Sequence, residues 1–95
     1  MDFDKLVHQP TRLQIFAYLY RHGESTFPEL IDELDVTEGN LASHMGKLEE
    51  ADCVEVEKQF VDRKPRTTYR LTDFGREKFE EHIGTLEALI DSLEE

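Results

Sequence analysis

Two short apolar rows separated by three residues constrain this chain more than any other feature. Leu30, Ile31 and Leu34 recur on one helical face, and Leu41, Met45 and Leu48 do the same, with Ala51 extending the second row. Only Asp35, Val36 and Thr37 stand between them. Thr26 and Glu29 have the spacing of a capping box with Pro28 in the first turn, and Thr37 is placed to cap the next helix. Two short helices across so tight a turn, the second amphipathic, predict a helix-turn-helix over about 27–51.

The flanking segments supply the rest of a fold. Pro10 suits the first turn of a helix carrying Leu13, Phe16, Ala17 and Tyr20 in one stripe, widened by Ile15 and Leu19, and Gly23 ends it. So wide a stripe predicts a central helix. Asp2 to His8 reads as a short helix with Phe3, Leu6 and Val7 on one side. After Ala51 the period switches to two. Val54, Val56 and Phe60 form one row, Thr67, Tyr69 and Leu71 another, and a basic, proline-stiffened tip at Asp62–Arg66 joins them. Thr72 can cap a last helix over about 73–95. The expected architecture is mainly α with a small β-hairpin (α+β). It is a winged helix-turn-helix, with the wing at about 54–71 and a long C-terminal dimerisation helix. Ninety-five residues suffice for one domain, 1–95, with a modest core.

The formal charge of −11 opposes a polyanionic partner until its distribution is read. From Lys58 to Arg70 five basic residues face one acid, Asp62. From Leu71 to Glu95 eight acids face only Arg76 and Lys78. One segment can meet phosphate while the other turns away. The overall acidity also suits a cytoplasm with molar salt, where screening shortens to a few ångströms.

The residues also carry a family resemblance. Pro10–Thr11–Arg12–Leu13–Gln14–Ile15 resembles the opening helix of ArsR-like regulators. Val36 to Val56, VTEGNLASHMGKLEEADCVEV, is similar to their recognition helix and following strand. Arg63 to Thr72 followed by Gly75 looks like the wing and its exit. The match covers nearly the whole chain and is nearest to compact, one-domain members of the ArsR/MarR-like group. It implies a transcription regulator. Asp52 stands where the family usually has a glycine, in a left-handed turn that Asp tolerates better than most residues. The paired cysteines of the family's metal sensors are absent, so no metal ligand carries over.

The predicted third helix opposes its apolar row with Glu38, Gly39, Asn40, Ser43, His44 and Lys47, and Thr37 stands at its start. Short hydrogen-bonding side chains of this kind suit base edges in a major groove. Asn40 can pair with adenine, Lys47 can reach guanine or phosphate, and Gly39 lets the helix N-terminus approach a phosphate. Arg63, Lys64 and Arg66 at the hairpin tip suit a minor groove or backbone, with Arg70 outward for phosphate. The alternatives are an ordinary solvated helix face and charges that merely deter strand pairing. Phe79, Ile83, Leu86, Ile90 and Leu93, spaced 4, 3, 4, 3 with Leu89 beside them, form a coiled-coil seam and the expected dimer interface.

The resulting expectation is a cytoplasmic homodimer bound to double-stranded DNA. The competing expectation is a protein-interaction module whose acidic surface holds a basic partner. The charges at Asp2, Asp4, Lys5, His8 and Arg12 leave no signal-peptide core, and no apolar run is long enough for a membrane span. Cys53, the only thiol, reads as a core residue, with redox sensing as the alternative. His8 and His82 read as surface or interface residues. No nucleophile–base set, paired metal ligands or glycine-rich phosphate loop appears, so enzymatic activity, cofactor and metal are not expected.

Overall fold

In the computed structural model, which describes residues 2–94, each of the four helices starts where a side-chain oxygen accepts a backbone N–H. Gln9 opens α1 (Pro10–His22), accepting from Arg12, and Gly23 closes it at φ 87° with its N–H returned to the Leu19 carbonyl. Thr26 caps α2 (Phe27–Leu34), Thr37 caps α3 (Glu38–Glu50) and Thr72 caps α4 (Asp73–Ser92). Only half of the expected capping box forms. Thr26 accepts the Glu29 N–H, while the Glu29 carboxylate accepts from the Ser25 hydroxyl.

The three-residue turn is closed at both ends. Asp35 is left-handed (φ 51°) after α2, and the Thr37 hydroxyl oxygen accepts the Asn40 N–H at 3.2 Å. α3 then stops in a Schellman turn. The Cys53 N–H reaches the Leu48 carbonyl, the Asp52 N–H reaches that of Glu49, and Asp52 is left-handed at φ 60°. Cys53 and Leu48, the positions whose apolar contact commonly accompanies that motif, are both fully buried in the core.

Three antiparallel strands follow the order β1-β3-β2, with β1 at Ser25–Thr26, β2 at Val54–Val61 and β3 at Lys64–Leu71. β1 was not expected. It is held only by register with Tyr69 and Thr68. The core joins Ile15, Phe16 and Leu19 of α1 to Leu30, to the α3 row Leu41, Met45 and Leu48, and to Val54, Tyr69 and Leu71 of the sheet. Phe79 of α4 stacks on Phe16 at 5.8 Å and 3°, which fixes α4 against α1. α1 is central as expected, but its buried face is Ile15, Phe16 and Leu19. Leu13 and Tyr20 lie at the margins and Ala17 is exposed.

Asp2–His8 is a single turn rather than a helix. The Asp4 carboxylate accepts the Leu6 and Val7 N–H groups, and the His8 N–H returns to the Asp4 carbonyl. Gln9 is extended (ψ 132°), as residues before proline are, and so stops any further winding. Asp4 is tied to Lys78 of α4 at 2.6 Å, and Val7 is fully buried.

The radius of gyration is 14.6 Å and the extents are 58 × 26 × 21 Å. A compact domain of this length has a radius nearer 12 Å. The excess comes from two projections, the hairpin and the end of α4.

Candidate nucleic-acid interface

α3 is anchored by Leu41, Met45 and Leu48, which leaves Glu38, Gly39, Asn40, Ser43 and Lys47 exposed together. No protein atom lies within 4 Å of a Cβ built on Gly39, so packing does not require that glycine. His44 is half-buried, and its Nδ1 accepts from the Arg12 guanidinium at 3.1 Å. Burial, then the charges of Arg12 and Lys47, hold its pKa below the usual histidine value. The lowered pKa favours the neutral ring, and an Nδ1 that accepts from Arg12 leaves Nε2 as its donor. Arg12 is the residue here that sequence reasoning missed. It also donates to the Leu6 and Lys5 carbonyls, fastening the N-terminal turn to α1 and α3.

The wing is a tighter hairpin than expected. Its loop is Asp62–Arg63 alone, both left-handed at φ 53° and 66°, the signature of a type I′ turn. Lys64, Pro65 and Arg66 therefore belong to β3 and not to the tip. All of Lys58–Arg66 is exposed, and Phe60, expected in the apolar row, is 80% exposed because the helices end before the hairpin does. A groove of about 360 Å³ lies between Phe27 and Pro28 at the start of α2 and Pro65 and Arg66 of the wing.

Arg70, expected outward for phosphate, is partly engaged within the sheet. Its guanidinium donates to Glu24 and Glu57 at 3.0 Å each, joining the β1 side of the sheet to β2. Both contacts use Nη2, and they hold the guanidinium beside two carboxylates that would repel a phosphate. Cys53 is fully buried, and burial pushes its thiol pKa up, away from the reactive thiolate.

The seam on α4 divides. Phe79 is only 6% exposed and belongs to the chain's own core, so it drops out of the expected dimer interface, and Ile83 packs against that core. Leu86 is half-buried, while Leu89, Ile90 and Leu93 rise to 36%, 56% and 77% exposure. His82, expected at the surface or an interface, is 2% exposed. Its Nε2 is 3.0 Å from His8 Nδ1, while its own Nδ1 has no hydrogen-bond partner among the described residues. Among the described residues no cluster of His, Cys, Asp or Glu is placed to hold a metal ion. No described helix is long and apolar enough to cross a membrane.

Comparison with known proteins agrees with this geometry. Residues 11–90 match the family model described as a winged helix DNA-binding domain. An uncharacterised protein of Methanocaldococcus jannaschii is 32% identical over 90 residues, which cover 95% of this chain and 98% of that protein. The structure of a transcriptional regulator homologue from Pyrococcus horikoshii superposes with a TM-score of 0.87 at 38% identity, over 93% of this chain and 87% of that one. YusO of Bacillus subtilis superposes at 0.84 with 25% identity, over 94% of this chain and 62% of that one. A MarR-family regulator of Enterococcus faecalis shares the fold at a TM-score of 0.79 and 21% identity, over 98% of this chain and 91% of that one.

Proposed function

Because the chain belongs to the winged-helix DNA-binding domain family, which comprises regulators rather than enzymes, we propose that it is a cytoplasmic, sequence-reading transcription regulator acting on duplex DNA as a homodimer. The observation that carries this reading is the pairing of two exposed surfaces. One is the hydrogen-bonding face of α3, and the other is a basic wing on a chain whose formal charge is −11.

In this reading α3 lies in the major groove. Asn40 offers a bidentate amide to adenine, Ser43 and the His44 Nε2–H face base edges, and Lys47 reaches guanine or phosphate. Thr37 and Gly39 bring the α3 N-terminus, with its free N–H groups, to a backbone phosphate. Arg63, Lys64 and Arg66 hold the backbone or the minor groove beside it. Arg63 supports this in a second way. It occupies a left-handed turn position where glycine would be unstrained, at a cost of about 1 kcal/mol. Strain kept at an exposed site points to a contact outside the chain. Arg70 acts by bracing the sheet through Glu24 and Glu57.

Leu86, Leu89, Ile90 and Leu93 pair with their copies about a twofold axis, so the two α3 helices meet two inverted half-sites about 34 Å apart. The acidic α4 then points away from the duplex. Selection from random duplexes, followed by titration at several salt concentrations, tests the reading. An inverted repeat should emerge, with log affinity falling against log salt by about 0.9 for each phosphate contacted. A chain that ignores duplex DNA and retains a basic protein instead would overturn it.

A further inference from the structure

Phe60 is more exposed than any other large apolar residue described, and the proposed function leaves it unused. Its position is specific. β2 and β3 carry their core residues on one face, Val54 and Val56 opposite Leu71 and Tyr69. The same face continues outward as Lys58 opposite Thr67 and Phe60 opposite Pro65, past the last helical contact. Four exposed residues of β2, Lys58–Val61, give the ribbon a free reach of about 13 Å. Phe60 thus looks out on the side of the sheet where α2 and α3 pack, the side a duplex on α3 would meet.

Pro65 fits this placement. In a two-residue hairpin, Val61 and Lys64 form the hydrogen-bonded pair that flanks the turn, so the next pair, Phe60 and Pro65, is not hydrogen-bonded. The missing proline N–H costs the ladder nothing there, and such pairs bring their side chains closest. The result is a stiff apolar projection with Lys58 on its own face and Arg63 at the turn, while Lys64 and Arg66 alternate to the other face of the same ribbon, and Asp62 is the single acid from Lys58 to Arg66. A second copy meeting this surface about a twofold axis would set like charges against each other. The minor groove offers what the surface lacks, stacked apolar bases between two phosphate walls. Its width of about 6 Å is less than a two-stranded ribbon needs, so entry requires the groove to open.

We propose that Phe60, backed by Pro65, is a wedge that enters the minor groove at one base step, unstacks it and kinks the duplex toward the major groove. This rests on the DNA-binding reading above. Wedges of this kind bend duplexes by about 20–90°. The wing then contributes to sequence preference without base hydrogen bonds, favouring pyrimidine–purine steps, which unstack most easily.

The test uses the full chain and a selected duplex carrying 2-aminopurine at successive positions beyond the half-site, with fluorophores at the two ends. Wild type should brighten 2-aminopurine at one step and shorten the end-to-end distance. Phe60→Ala should abolish both and weaken binding on the order of ten-fold, with the salt slope unchanged because no charge is lost. Phe60→Leu should keep part of the signal. Equal brightening and bending by wild type and Phe60→Ala would overturn the wedge while leaving DNA binding intact. Failure of wild type to bind any duplex would instead overturn the DNA-binding reading and the wedge with it. Binding to anionic-lipid vesicles that depends on Phe60, with duplex binding unmoved by Phe60→Ala, would assign the residue to a membrane surface and overturn the proposal.

Discussion

Gly75, in the first turn of α4, gives the sharpest test of the packing. A Cβ added there would lie 2.1 Å from the Cys53 carbonyl oxygen and 2.9 Å from its carbon, both backbone atoms held by the Schellman turn. Ordinary contact begins near 3.4 Å, so Gly75→Ala must push α4 away by about 1.3 Å. That displacement strains the Thr72 N–H bond to the Cys53 carbonyl (3.0 Å) and the Thr72 hydroxyl bond to the Asp52 carbonyl (2.6 Å). It also shifts Phe79 on Phe16. Two weakened hydrogen bonds cost roughly 1–3 kcal/mol and the disturbed core about 1–3 more, offset by about 1 kcal/mol of helix propensity gained by alanine. The expected net loss is about 1–5 kcal/mol, or roughly 5–40 °C in Tm. Gly46→Ala is the control, since α3 leaves open space at that position, and it should stabilise by up to about 1 kcal/mol. Urea and thermal titrations by circular dichroism, at one fixed chain concentration, read both. A Gly75→Ala variant as stable as Gly46→Ala would refute the close approach of α4 to Cys53.

Three further outcomes follow from the geometry. Arg63→Gly should raise stability by about 1 kcal/mol in denaturant titrations, yet lower the salt slope of duplex binding by about 0.9; the same direction in both would remove the argument from strain. Leu89→Asp, Ile90→Asp and Leu93→Asp combined should leave the helical dichroism while halving the mass by light scattering, whereas Ile83→Asp should unfold the chain because Ile83 packs on the core. A triple variant that stays dimeric would place the interface elsewhere. His82 has its pKa lowered by burial and then by His8. The unfolded chain therefore binds the proton more readily, and stability should be lost as pH falls below the ordinary histidine value near 6.5. His82→Asn should flatten that slope between pH 7 and 5.5, and an unchanged slope would show that His82 does not titrate as described.

Local chemistry made the helix starts legible, because proline and threonine announce them before any tertiary contact forms. The apolar row of α3 was equally readable, and the left-handed Asp52 was implied by the family resemblance. What escaped the sequence was set at long range or by an unusual residue choice. β1 is two residues long, too short for a period, and exists only because Tyr69 and Thr68 lie beside it. The two-residue turn was hidden by Arg63, where glycine is the customary signal, and Pro65 suggested a tip because strands usually exclude it. Periodicity alone placed Phe79 in the dimer seam and Phe60 in the core row, since it records which residues share a face but not where the neighbouring element ends. The Arg12–His44 contact and the pairing of Arg70 with Glu24 and Glu57 join distant segments and leave no mark on spacing.

The central claim is that two copies read one duplex with their α3 helices. Stoichiometric titration tests it most directly, using labelled duplex well above the dissociation constant and carrying the selected inverted repeat. Anisotropy should break at two chains per duplex, and a duplex with one half-site destroyed should lose most of its affinity. A break at one chain per duplex, with full affinity for the single half-site, would contradict the claim.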